Sequence, residues 1–118
     1  MTQNEKDLLL RDLCSRLPYG VKCEVYDRIG VLDEISSYGA SVNYNNGEDT
    51  TCRIEYVKPY LFPLESMTEE QQIELTKFVA NGIMDENIVY DWYNKNHFDY
   101  RGLIPMGLAN DATNLNIY

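Results

Sequence analysis

The spacing of apolar residues changes twice along this chain, and that change constrains the fold more than any other feature. Leu9, Leu10, Leu13, Cys14 and Leu17 recur at helical steps of three and four. From Val21 to Lys58 the period drops to two. Val21, Cys23 and Val25 alternate with Lys22, Glu24 and Tyr26, and Cys52, Ile54 and Tyr56 alternate with Arg53, Glu55 and Val57. Ile29, Val31 and Ile35 continue the odd-numbered set past Gly30, a residue that marks bends and bulges, and Val42 with Tyr44 form a further short strand. After Thr68 the helical spacing returns through Leu75, Phe78 and Val79, then Ile88, Val89, Trp92 and Tyr93. Segregated helical and strand segments predict an α+β fold: an N-terminal helix, a small curved antiparallel sheet resembling an SH3-like partial barrel, then two C-terminal helices.

The element ends carry their own signals. Thr2 followed by Glu5 is a capping-box pattern for a helix over 3–16, with Asp7, Arg11, Asp12 and Ser15 on its polar face. Pro18 and Gly20 stop that helix. Asn45-Asn46-Gly47 reads as a hairpin turn, since Asn and Gly accept positive φ. Lys58–Met67 holds Pro59 and Pro63, which cannot donate to a ladder, so it reads as an extended connector and not a central strand. Thr68 and Gln71 repeat the capping box, Asn81-Gly82 ends the second helix, and a third spans about 86–96. The tail after Phe98, with Gly102, Pro105 and Gly107, leaves room for one short helical turn. The 118 residues form one domain, divided as helix 1–17, sheet 21–58, connector 59–67 and helical part 68–118.

Charge narrows the function classes. Ten Lys and Arg face 19 Asp and Glu, for a net charge of −9. No two basic residues are adjacent, so the clustered cations that neutralise phosphates are missing and direct nucleic-acid binding is not expected. No stretch approaches the ~20 apolar residues of a membrane span, and the N-terminus lacks the pattern of a signal peptide. Cys14, Cys23 and Cys52 fit no metal or redox spacing and lie on apolar faces, which predicts buried, reduced thiols in a cytoplasmic protein.

Catalytic and cofactor signatures are missing: no phosphate-cradling glycine loop, no His-Glu-x-x-His, no nucleophile elbow. No cofactor and no metal are expected. One stretch stands out, Tyr90 to Arg101, which holds the single Trp, the single His, three Tyr and a Phe. Tyr93 and His97 stand one helical turn apart, and Asp99, Tyr100 and Arg101 follow. Tyr and Arg are enriched where partners bind, which nominates Tyr93, His97, Asp99, Tyr100 and Arg101 as a ligand- or partner-binding site. The plainer alternative makes Trp92 and Phe98 core, His97 a hydrogen-bonded helix-end residue and Asp99–Arg101 a local ion pair.

The segments LLLRDLCSRLPYGVK (8–22), VKPYLFPLESMTEEQ (57–71) and WYNKNHFDYRGLIPMGLA (92–109) together resemble a family of small proteins encoded in Bacteroides genomes and in phages or mobile elements of gut bacteria. That family has no established activity, so the resemblance implies a setting and not a mechanism. Its members often carry two consecutive histidines where this chain has Asn96-His97, a departure that speaks against a histidine-based metal site.

Three functional readings follow. The first is a non-enzymatic cytoplasmic binding or adaptor module with a protein partner. The second is a small enzyme, or a protein that sequesters a metabolite, using His97, Asp99 and Arg101. The third is an acidic, phage-type inhibitor of a nucleic-acid-binding host protein, whose complex would weaken steeply with salt.

Overall fold

The computed structural model describes residues 1–80 and 86–118. Helix α1 (Gln3–Arg16) opens with the expected reciprocal cap: Thr2 Oγ1 accepts from the Glu5 N–H, and the Glu5 carboxylate accepts from the Thr2 N–H at 2.8 Å. The buried stripe of α1 differs from the expected one. It consists of Leu9, Asp12, Leu13 and Arg16, while Leu10 and Cys14 are exposed. The reason is that segment 98–101 lies against Asp12 and Arg16 and turns that charged side of the helix inward.

Six strands follow in the hydrogen-bonding order β4-β3-β2-β1-β5-β6. They are β1 (Lys22–Val25), β2 (Arg28–Ile35), β3 (Ala40–Asn43), β4 (Asp49–Cys52), β5 (Lys58–Leu61) and β6 (Asn110–Asp111). Neighbours pair antiparallel except β5 with β6, which pair in parallel. The fold is therefore α+β with a mostly antiparallel, open sheet, because β4 and β6 remain its two edges.

Two strand expectations need correction. In β2 the buried positions are Gly30 and Leu32, not Ile29 and Val31, since Cys23 pairs with Gly30 and Leu32 with Val42 across the sheet. Gly30 is there for space: a Cβ would stand 2.3 Å from Val42 Cγ1 and 2.7 Å from the Asn43 carbonyl oxygen. The irregularity in this pairing falls instead between Leu32 and Glu34. The second correction concerns Ile54–Tyr56, a 3₁₀ turn and not strand, after which Lys58–Leu61 becomes β5 inside the sheet. Pro59 is accommodated opposite Cys23, so the first part of the expected connector, up to Leu61, is sheet, and Leu64–Ser66 forms a 3₁₀ turn. The Asn45-Asn46-Gly47 turn forms as expected, with Gly47 at φ +85° and the Tyr44 N–H donating to the Glu48 carbonyl at 2.8 Å.

Helices α2 (Glu69–Ala80) and α3 (Glu86–Lys95) complete the regular structure. Thr68 and Gln71 make the second reciprocal cap; the expected Asn81-Gly82 terminus lies outside the described residues. Residues 96–118 are not helical. They run back along the sheet, where Phe62 and Phe98 form a bridge and β6 docks on β5. No helix among the described residues is long and apolar enough to cross a membrane.

Candidate functional site

The five residues nominated from sequence fall into three separate sets of contacts. Tyr93, Tyr100 and Arg101 come together: the Tyr93 and Tyr100 rings stack at 5.4 Å, Tyr90 stacks on Tyr100 at 5.1 Å, and the Arg101 guanidinium lies 4.5 Å from the Tyr100 centroid. Arg101 Nη1 also donates to Asp12 at 2.8 Å and Nη2 to Ser15 Oγ at 3.2 Å. Beneath them Asp12 and Arg16, both fully buried, form a two-bond pair, and Arg16 Nη2 donates to the Phe98 carbonyl at 2.6 Å. Two guanidinium groups thus share one buried carboxylate.

Asp99 stands apart. Both its oxygens are taken by backbone, accepting from the Leu103 N–H at 2.8 Å and the Ile104 N–H at 2.9 Å, which pins the turn after α3. His97 has other partners again. It sits at φ +62°, a left-handed conformation, with its ring flat on Tyr118 at 3.9 Å. Burial, helped by the charges of Arg16 and Lys22, lowers its pKa to about 4. Its imidazole is accordingly neutral at pH 7, and Nδ1 is buried without a hydrogen-bond partner among the described residues. His97, Asp99 and Arg101 thus each have different partners: the Tyr118 ring, the backbone of Leu103 and Ile104, and the Asp12 and Ser15 side chains.

A different concave region shows the opposite character. The β1–β2 connection is the two-residue turn Tyr26-Asp27, and both residues adopt positive φ, +51° and +63°. A tight hairpin demands this geometry, which usually falls to Asn and Gly. For a bulky residue it is strained by roughly 1–2 kcal/mol. Tyr26 is nevertheless there, 62% exposed, its ring 6.2 Å from that of Tyr56, which is itself 56% exposed. Tyr56 is presented by the 3₁₀ turn before β5. The two rings stand over a groove of about 290 Å³ bordered by Glu24, Asp27, Glu55 and Lys58. Three carboxylates face one ammonium among those charged side chains, and Glu55 is reached from outside by Lys6 at 3.8 Å.

Sequence reasoning passed over this groove. Alternation placed Tyr26 and Tyr56 as outward or inward members of strands, whereas both lie on turns. The signal that could have found it is the dipeptide Tyr26-Asp27 between two strand patterns, where a turn former belongs. The cysteines also divide: Cys23 and Cys52 are buried and form no disulfide, with burial pushing the Cys23 thiol well up, but Cys14 is exposed, contrary to expectation. Searches against family models, curated proteins and solved structures found no match to this chain.

Proposed function

We propose that the protein is a non-enzymatic binding module that takes an extended, basic peptide segment of a protein partner in the Tyr26–Tyr56 groove. The observation that carries this is the strained, exposed Tyr26. A residue held at an unfavourable φ where Asn or Gly would fit better is a pointer to function, because the fold gains nothing from it. Exposed aromatics bind extended peptides by giving the side chains of a polyproline-like backbone flat apolar surfaces. The carboxylates of Glu24, Asp27 and Glu55 border that surface and favour a Lys or Arg beside the docked residues.

The strand order supports an SH3-like reading of the first five strands. The order β4-β3-β2-β1-β5, with a 3₁₀ turn between β4 and β5, is consistent with that reading, although the sheet stays open and does not close into a barrel. In that reading the groove lies between the β1–β2 turn and the 3₁₀ turn, where such sheets present ligand. Two buried free thiols favour a reducing compartment, and hence a cytoplasmic location.

Selection from random dodecapeptides tests the proposal. Bound sequences should carry Lys or Arg next to Pro or an aromatic residue, and Tyr56→Ala should weaken the best of them at least tenfold. Selection of acidic peptides, or binders indifferent to Tyr56→Ala, would overturn it.

A further inference from the structure

The 3₁₀ turn that presents Tyr56 is a wall between two hollows. Glu55 borders the Tyr26–Tyr56 groove on one side, and on the other an open hollow of about 260 Å³ between α1 and the β2–β3 connection. Tyr56 lines the first hollow and Arg53 the second. The Tyr56 N–H donates to the Arg53 carbonyl at 3.1 Å and closes the turn. A closed turn holds the Cα atoms of its two ends within about 7 Å of each other. An extended segment, advancing ~3.1 Å per residue in a polyproline-like conformation, crosses that wall in about two or three residues.

A close approach of backbones builds the second hollow. Gly39 ends the β2–β3 connection against the end of β4, where a Cβ would stand 1.9 Å from the Cys52 carbonyl oxygen and 2.9 Å from the Arg53 Cα. Only a residue without a side chain fits there, and it brings Tyr38 into the same hollow as Arg53. Tyr38 is 65% exposed and meets no other ring among the described residues. Leu10 from α1 and Ile54 add apolar surface. The charges around them are unequally committed. Lys6 lies 3.8 Å from Glu55, and Asp7 accepts from Gln3 Nε2 at 2.9 Å. The exposed Arg53 guanidinium has neither a hydrogen bond nor an ion pair among the described residues. The first groove, with three carboxylates against one ammonium, leaves negative charge uncompensated, whereas the second leaves a guanidinium. We propose that the second hollow is a further subsite for the same peptide segment, taking a large apolar side chain and a neighbouring Asp or Glu. The apolar side chain lies on Tyr38, Leu10 and Ile54, and the carboxylate pairs with Arg53, whose planar fork suits it. Opposite charge preferences in adjoining subsites fix which way round the segment lies. The assignment rests on the peptide reading of the first groove.

A dodecapeptide library with a fixed central Lys-Pro pair and every other position randomised, selected on the full chain, reads the subsite directly. Asp or Glu beside Leu, Ile or Phe should be enriched on one side of the fixed pair only, about two to four residues away. On Arg53→Glu the preference at that position should reverse to Lys or Arg, and on Arg53→Ala it should disappear. A synthetic peptide carrying the enriched acid should bind Arg53→Ala about threefold more weakly than the wild-type chain, the scale of an exposed ion pair. Replacing its acid with the amide should abolish that difference. Tyr38→Ala should remove the apolar preference and keep the acidic one. Flanks without enrichment, enrichment symmetric about the Lys-Pro pair, or the same enrichment on Arg53→Glu as on the wild-type chain overturns the second subsite. Weakening of those peptides by Tyr56→Ala would then show that the first groove still stands. Loss of all selection, or binders indifferent to Tyr56→Ala, removes the first groove and the subsite with it.

Discussion

The tyrosines around α3 and the tyrosines at the β1–β2 turn place the same side chain in opposite physical settings. Tyr100 stacks on both Tyr93 and Tyr90, and two guanidinium groups, Arg16 and Arg101, lie near the Tyr100 face. The Tyr100 hydroxyl donates to Asn94 Oδ1 at 3.0 Å, so its polar tip is satisfied within the fold. Tyr26 and Tyr56 face each other at 6.2 Å and are each more than half exposed. The first cluster has its hydrogen bonds and charges directed inward. The second leaves its apolar surface available and stands at a strained turn. Composition nominated the first as a site; in the structure its cations hold residues 98–101 against α1.

The largest effect that would break this contrast is at Arg16. Replacing it with Met leaves Asp12 buried with Arg101 as its one remaining cation, and removes the donor from the Phe98 carbonyl. Breaking a buried pair costs about 3–5 kcal/mol, because the surviving charge keeps its desolvation penalty. Urea unfolding of Arg16→Met should show a loss of that size, with peptide binding at the groove retained under native conditions. A loss below about 1 kcal/mol would mean that the ion network is no better than apolar packing there.

The same residues show what sequence can and cannot reveal. Both capping boxes, the Asn45-Asn46-Gly47 turn and the extents of α1 and α3 were legible because each is decided by neighbours within a few positions. The buried face of α1 was not. Asp12 reads as solvent-facing until Arg101, 89 residues away, supplies a second cation beside Arg16, which itself bonds the Phe98 carbonyl. Strand β5 was hidden for a related reason. Proline argues against a central strand only where the ladder needs its N–H, and that depends on register, which a single strand does not carry. Of the nominated site, helical spacing places Tyr93 and His97 one turn apart, but α3 stops at Lys95 and His97, at φ +62°, stacks on Tyr118.

A middle-sized effect sharpens the comparison through pH. His97 has its pKa lowered to about 4 in the folded protein by burial first, then by Arg16 and Lys22, against ~6.5 when unfolded. Between those values the unfolded chain binds more protons than the folded one, so stability is complete above ~6.5 and falls as pH drops towards 4. The ring is partly exposed, so solvent screening reduces the effect, to about 1 kcal/mol between pH 7 and 5. Urea midpoints at the two pH values should show that loss in the wild-type chain and a much smaller one in His97→Asn. Equal losses in both would place the pH sensitivity elsewhere.

The smallest effect on stability belongs to Tyr26, and its sign is the informative part. At φ +51° a tyrosine Cβ crowds its own backbone, whereas Asn adopts this region with little penalty because its short polar side chain bonds locally. Tyr26→Asn loses one tilted ring contact at 6.2 Å, most of which is open to solvent. The relieved strain and the lost contact nearly offset each other, so stability should stay level or rise by up to about 1 kcal/mol. Affinity for a selected basic peptide should meanwhile fall at least tenfold, because half of the aromatic surface has gone. Thermal unfolding and peptide titration on the same preparation separate the two. If Tyr26→Asn instead destabilises the protein by more than about 1 kcal/mol, the turn tyrosine is held for packing like those around α3, and the groove loses its claim to be a site.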